Sequence, residues 1–160
     1  MHSLLRTNKD IEEIYNRQMK MVYRICYGYM KNQHDTEDAV ADTFCNLISS
    51  HIVFESDEHE KAWLIRACSN VCKNKLKHWS RTNENIDDHS DLQTEDSIDD
   101  TLKIVLELPD KYKTVVYMYY YEEYTSAEIA EILQKPKSTI RNYLSEARKV
   151  LKKKLGDLNE

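Results

Sequence analysis

Between residues 82 and 101 (TNENIDDHSDLQTEDSIDDT) the chain carries eight acidic side chains, no basic one, and only two isoleucines and one leucine. So little apolar surface cannot offset the cost of ordering the backbone, so the stretch reads as a flexible linker rather than part of a core. A chain of 160 residues divided there leaves two small domains, 1–81 and 102–160. With 2 Gly and 2 Pro in the whole sequence, there are too few turn residues for a sheet protein of this size, and both domains are expected to be all-α.

Apolar periodicity places the helices. Asp10-Ile11-Glu12-Glu13 reads as an N-cap, and Ile11, Ile14, Tyr15, Val22, Ile25, Cys26 and Tyr29 recur at helical spacing to about Lys31. Asp35 is expected to cap a second helix whose inward stripe is Val40, Phe44, Leu47 and Ile48. Residues 49–60 keep no period and read as a loop, followed by a third helix with Leu64, Ala67, Cys68, Val71 and Cys72 inward and its end near Arg81. After the linker, Pro109 suits the first turn of a helix containing Val115, Val116 and the run Tyr117–Tyr121. Tyr119–Tyr121 are read as half-buried packing in preference to contacts with a nucleic-acid backbone. Thr125 and Glu128 fit a capping box, and a last helix is expected from about Ser138 to Leu155.

No apolar run reaches the ~18 residues of a membrane span, so direct membrane insertion is not expected. The N-terminus, MHSLLRTNKDIEE, has no apolar signal core, which points to a cytoplasmic protein. Cys26, Cys45, Cys68 and Cys72 form no CxxC pair and are read as small buried side chains in a reducing compartment. No nucleophile–base set, phosphate-cradling glycine loop or carboxylate pair argues for an enzyme, and no metal or cofactor is expected.

The net charge of −5 conceals its distribution. Residues 61–81 hold Lys61, Arg66, Lys73, Lys75, Lys77 and Arg81 without one acid, and residues 134–154 hold eight bases against Glu146. Two basic segments in an acidic chain imply two polyanion contacts. In the first, Arg66, Asn70, Lys73, Asn74, Lys77 and Arg81 are spaced to share one helix face. Asn and basic side chains together suit base edges as well as phosphates.

The second basic segment lies in SAEIAEILQKPKSTIRNYLSEAR, residues 126–148. A helix-turn-helix needs a small residue at its crossing (Ala130), a tight turn (Gln134–Lys137) and apolar contacts from its second helix (Ile140, Leu144, Ala147, Leu151). Lys137, Ser138, Thr139, Arg141, Asn142, Ser145 and Lys149 then form the DNA-facing side. Gln134 stands where glycine is common, and a left-handed turn without glycine costs roughly 1 kcal/mol.

These segments resemble a known family. DTEDAVADTFCNL (35–47), AWLIRACSNVCKNKLKHWSR (62–81) and residues 107–155 look like the second- and fourth-region motifs of bacterial sigma factors, and two regions on a short linker resemble the minimal, extracytoplasmic-function class. The resemblance implies a transcription-initiation subunit with two domains. Residues 1–81 would bind core RNA polymerase and recognise and open the downstream promoter element. Residues 82–101 would tether them to a helix-turn-helix domain, 102–160, that reads the upstream element. It assigns Asp35, Glu37, Asp38 and Asp42 to the clamp helices of the polymerase largest subunit, with the flap as a further contact. Asn70 and Asn74, flanked by Lys73 and Lys77, become the downstream readers, and the loop at 53–61 becomes the captor of an unstacked base. Thr139, Arg141, Asn142 and Ser145 become the groove contacts. Ala41 stands where the family commonly has Gln, and Tyr143 and Glu146 where Arg is frequent. The resemblance also implies an anti-sigma factor, often one that holds its target at the membrane.

A coil of twenty residues averages roughly 25 Å end to end and reaches at most about 70 Å. In the family it resembles, the two promoter elements lie some two helical turns apart, on the order of 70 Å, so the resemblance implies that the polymerase holds the domains apart. Two other readings remain open on the residues alone: a free-standing helix-turn-helix regulator, which leaves the Arg66–Lys77 face unexplained, and a redox or metal sensor built on Cys68 and Cys72 with His59 or His78.

Overall fold

The computed structural model describes residues 8–82 and 100–158. Among these residues every regular element is a helix. The chain divides into two compact units, one through Ser97 and one from Ile98. Most of the expected linker, residues 83–99, lies outside the described residues.

The first unit packs three helices against one another: α1 (Asn8–Met30), α2 (Gln33–Ser50) and α3 (Asp57–Thr82). Its core is built from Ile14, Val22, Ile25 and Cys26 of α1, Ala39, Val40, Phe44 and Leu47 of α2, and Leu64, Ile65, Cys68 and Cys72 of α3. Helix α1 is already formed at Asn8, so Asp10 sits in its first turn instead of capping it. The cap of α2 is Asn32, not Asp35. Its side-chain oxygen accepts from the Asp35 amide at 2.8 Å, and its amide nitrogen donates to the Asp35 carboxylate at 2.7 Å. That exchange satisfies an orphan amide and lets α1 and α2 join through Lys31 and Asn32 alone.

Ile48 is 52% exposed, outside the stripe expected to bury it, and Cys45 is likewise exposed while the other three cysteines are buried. Both depart because α2 buries only one narrow face against α1 and α3. The loop is shorter than expected: only residues 51–56 are non-helical, and Asp57, Glu58 and Glu60 form the acidic first turn of α3. Glu60 turns inward, 4% exposed. It accepts from the Arg17 guanidinium at 2.7 Å and the Gln18 amide at 2.7 Å, which fastens the start of α3 to α1.

The second unit contains α4 (Asp100–Leu106), α5 (Asp110–Tyr120), α6 (Ser126–Leu133) and α7 (Lys137–Leu158). Leu102, Val105, Val115, Val116, Met118, Ile129, Ile140, Leu144 and Ala147 make its core. Pro109 is the cap residue just ahead of α5, one position earlier than expected. The capping box of α6 is complete: the Glu128 amide donates to Thr125 Oγ1 at 3.1 Å, and the Thr125 amide donates to the Glu128 carboxylate at 3.0 Å. Those bonds hold the Glu128 carboxyl below its ordinary value.

Gln134 closes α6 in the left-handed region, φ 56° and ψ 47°. The Lys135 amide returns to the Ala130 carbonyl at 3.0 Å, fixing the turn between α6 and α7. A side chain is strained there and glycine is not. Gln134→Gly is therefore expected to stabilise the second unit by about 0.5–1 kcal/mol, which raises its calorimetric midpoint by about 3–6 °C. An unchanged midpoint would mean that the turn stores no strain.

Candidate nucleic-acid interface

Helix α3 runs unbroken for 26 residues, from Asp57 to Thr82. Leu64, Ile65, Cys68 and Cys72 face the core, and the remaining faces carry the charge. Asn70, Lys73, Asn74, Lys77 and Arg81 are exposed, while Arg66 is half-buried. From Arg66 to Arg81 the row spans about 22 Å at ~1.5 Å per residue, the rise of about six base pairs at ~3.4 Å each. One rigid helix thus presents amide and cationic groups in a line, a geometry suited to following a nucleic-acid strand.

At the head of this helix the 51–56 loop, part of the segment assigned to base capture, closes over a cluster of rings of which sequence reasoning named only His59, and that as a sensor ligand. Phe54 lies edge-on to His59, ring centroids 5.2 Å apart, and to Trp63 at 6.0 Å. The Glu55 amide donates to His59 Nδ1, and the His59 amide donates to Ser56 Oγ. All three rings are half-buried, so aromatic surface remains beside the charged row. The aromatic spacing at 54, 59 and 63 was the available signal, hidden by the acids between them. Of those acids, Glu60 is committed to Arg17 and does not face the loop.

The acids assigned to polymerase lie on α2 but are not equivalent. Glu37 accepts from Gln33 at 3.0 Å, and Asp38 lies 3.6 Å from His34. Asp35 is 7% exposed and held by Asn32, so it shapes the helix start. Asp42 pairs with Lys75 of α3 at 2.8 Å. A groove of about 270 Å³ runs beside this pair, lined by Asp42, Cys45, Asn46, Val71, Asn74 and Lys75. It joins the acidic face of α2 to the amide-bearing face of α3. His34, Asp35 and Asp38 are close enough to hold a cation, but exposed acidic groups of this kind are common without one. Cys68 and Cys72 instead face Cys26 in the core, where the hydrogen bond with Cys68 and then burial push the Cys26 thiol well above its ordinary value, against an opposing pull from Cys72. A buried neutral thiol is a poor ligand and a poor nucleophile.

In the second unit, α6 and α7 form the helix-turn-helix. Lys137, Ser138, Arg141, Asn142, Ser145 and Lys149 are exposed on α7, and Thr139 is half-buried. Tyr143 is half-buried edge-on to Tyr112, centroids 5.4 Å apart, so it serves packing. Lys149 pairs with Glu146 at 3.3 Å. In the tyrosine run, Tyr121 stacks on Tyr117 at 5.0 Å, but Tyr120 is 48% exposed and departs from the expected packing.

Two helices on two separate units, each carrying an exposed amide-and-cation face, give the chain the geometry of a bipartite nucleic-acid binder. Sigma-70 region 2 matches residues 14–82, and sigma-70 region 4 matches residues 98–151. The chain belongs to the sigma-70 family, as a sigma factor of the extracytoplasmic-function type. It is 25% identical to the ECF RNA polymerase sigma factor SigW of Bacillus subtilis, over 93% of this chain and 89% of that protein. It is 29% identical to the RNA polymerase sigma factor SigV of the same organism, over 81% of each. The fold is similar to that of the sigma factor RpoE from Bartonella quintana, solved with the anti-sigma factor NepR, with a TM-score of 0.70 at 18% identity over 92% of this chain and 98% of that one. It also resembles CnrH, solved with the cytosolic domain of CnrY, with a TM-score of 0.67 at 16% identity over 94% and 90% of the two chains. The free-standing regulator is not favoured, because the first unit matches sigma-70 region 2 as the second matches region 4.

Proposed function

We propose that the two domains divide the work of initiation as follows. Residues 1–81 dock on core polymerase through Glu37, Asp38 and Asp42 at the exposed side of α2, with Asp35 fixing the start of that helix. They open the downstream element along the Arg66, Asn70, Lys73, Asn74, Lys77 and Arg81 row. Residues 102–160 read the duplex upstream element through Lys137, Ser138, Thr139, Arg141, Asn142, Ser145 and Lys149, and residues 82–101 tether the two. The observation that carries this reading is the straight α3 row ending at a half-open aromatic cluster, Phe54, His59 and Trp63. An extruded base stacks on aromatic rings while the row holds its strand, and stacking contributes about 1–3 kcal/mol per base against the few kcal/mol that unstacking costs.

The protein acts as a binding subunit with no reaction of its own; RNA synthesis belongs to the polymerase. No helix among the described residues is long and apolar enough to cross a membrane, and the place of action is the cytoplasm, where its template lies. Because the structural relatives RpoE and CnrH were solved with an anti-sigma factor and with CnrY, an anti-sigma factor is the proposed inhibitor, and one anchored in a membrane would hold this chain there.

Docking is tested by reversing the exposed acids. Glu37→Lys together with Asp38→Lys is expected to weaken association with core polymerase about tenfold or more, since like charges facing one another at an interface cost several kcal/mol. The measurement is a titration of labelled core enzyme. Affinity equal to that of the unchanged protein would remove α2 from the docking surface.

A further inference from the structure

Arg148 lies seven residues after Arg141 and three after Ser145 on α7, spacings that return a helical side chain to the same face. It is exposed and continues the duplex-facing side beyond the residues that contact bases. It is oriented from outside its own helix. Its guanidinium carbon lies 5.5 Å from the centre of the Tyr119 ring. Its Nε donates to the Tyr120 hydroxyl at 3.4 Å. The two rings meet edge to face at 5.0 Å. Tyr120 is 48% exposed, so the end of α5 spends an aromatic side chain at the surface to hold this one arginine.

The chemistry left over is that of an anion site. Arg148 commits its Nε–H to Tyr120 and also leans on the Tyr119 hydroxyl, but a guanidinium has five N–H groups, so donors remain for an anion; the Tyr120 hydroxyl accepts from Arg148 and keeps its own proton to donate. The hydrogen bond to Tyr120 chiefly, with the Tyr119 hydroxyl beside it, favours the cation, and the Tyr119 ring adds a cation–π contact. Lys152 and Lys153 are exposed a turn further on and add to the positive field. From Arg141 to Arg148 the helix rises about 10 Å, close to the ~12 Å width of the major groove. A helix with Arg141 on the groove floor therefore brings Arg148 to the groove wall, where the phosphates are.

We propose that Arg148 and Tyr120 form a phosphate clamp for the DNA backbone flanking the upstream element. The clamp reads no base; it fixes how far α7 slides along the groove, and Tyr119 positions the guanidinium. This rests on the reading of α7 as the duplex reader.

The test uses the full chain bound to core polymerase, titrated with a duplex selected by that holoenzyme, at several KCl concentrations. Arg148→Gln is expected to lower the slope of log K against log salt by about 0.9, one phosphate contact. It should weaken binding about three- to tenfold, by the same factor on every base substitution of the element. Arg148→Lys keeps the slope, and Tyr120→Phe keeps it while losing about two- to fivefold in affinity. An unchanged slope in Arg148→Gln, or a loss confined to one base position, overturns the clamp, because a merely structural tether between α5 and α7 leaves the slope alone. If the wild-type holoenzyme selects no duplex at all, the reading of α7 fails and takes the clamp with it.

Discussion

Changing Arg141 and Asn142 together to alanine is expected to cut transcription from the dependent promoter by about 30-fold or more. Each well-placed side chain on a base edge contributes about 1–3 kcal/mol of discrimination, so even the lower limit for two gives about 30-fold. Both residues are exposed on α7, and Ile140 and Leu144 hold the helix from its other face. The double variant therefore melts within about 0.5 kcal/mol of the parent. Run-off transcription with reconstituted holoenzyme reads the loss directly. The same variant should retain its affinity for core polymerase. A promoter that fires undiminished would move the duplex contacts off α7.

The second large effect concerns strand opening. Asn70→Ala with Asn74→Ala is expected to lower opening of an intact duplex on the order of 100-fold, because the few kcal/mol needed to unstack a base is no longer recovered on α3. On a template already mismatched across the opened region that cost is prepaid, and most of the defect should vanish. Run-off transcription from the two templates, with permanganate footprinting of the intact one, separates the cases. An equal loss on both would make these amides plain binding contacts with no part in melting.

The two residues lie on the exposed side of a helix whose Cys68 and Cys72 are fully buried, so the substitutions leave the core untouched. They were legible in the sequence for the same reason. A helix that buries one stripe must expose the others, and 61–81 shows cations and amides on the exposed ones. The capping box at Thr125 and Glu128 and the helix-turn-helix spacing about Ala130 were legible because both are local, set by contacts a few residues apart. What escaped depends on partners far along the chain. Glu60 reads as a loop acid until Arg17, 43 residues away, is placed against it. Asp42 reads as a solvated docking charge until α3 brings Lys75 to 2.8 Å. Arg148 reads as one cation among many until α5 delivers Tyr119 and Tyr120. Asp35 was misread for a subtler reason: Asn and Asp are both good caps, and only the α1–α2 junction decides which of Asn32 and Asp35 takes the role.

The measurement that bears most directly on the whole account is a comparison of promoter binding by the isolated chain, by core polymerase, and by the two combined, on one fragment at one physiological salt concentration. The chain is acidic overall, with a net charge of −5, and its two cationic faces sit on separate units. Alone, each face should hold DNA only weakly and with little preference. Only the combination is expected to select the promoter over unrelated DNA and to open it. If the isolated chain binds the fragment as tightly and as selectively as the combined complex does, the division of labour between the two helices and the polymerase is contradicted.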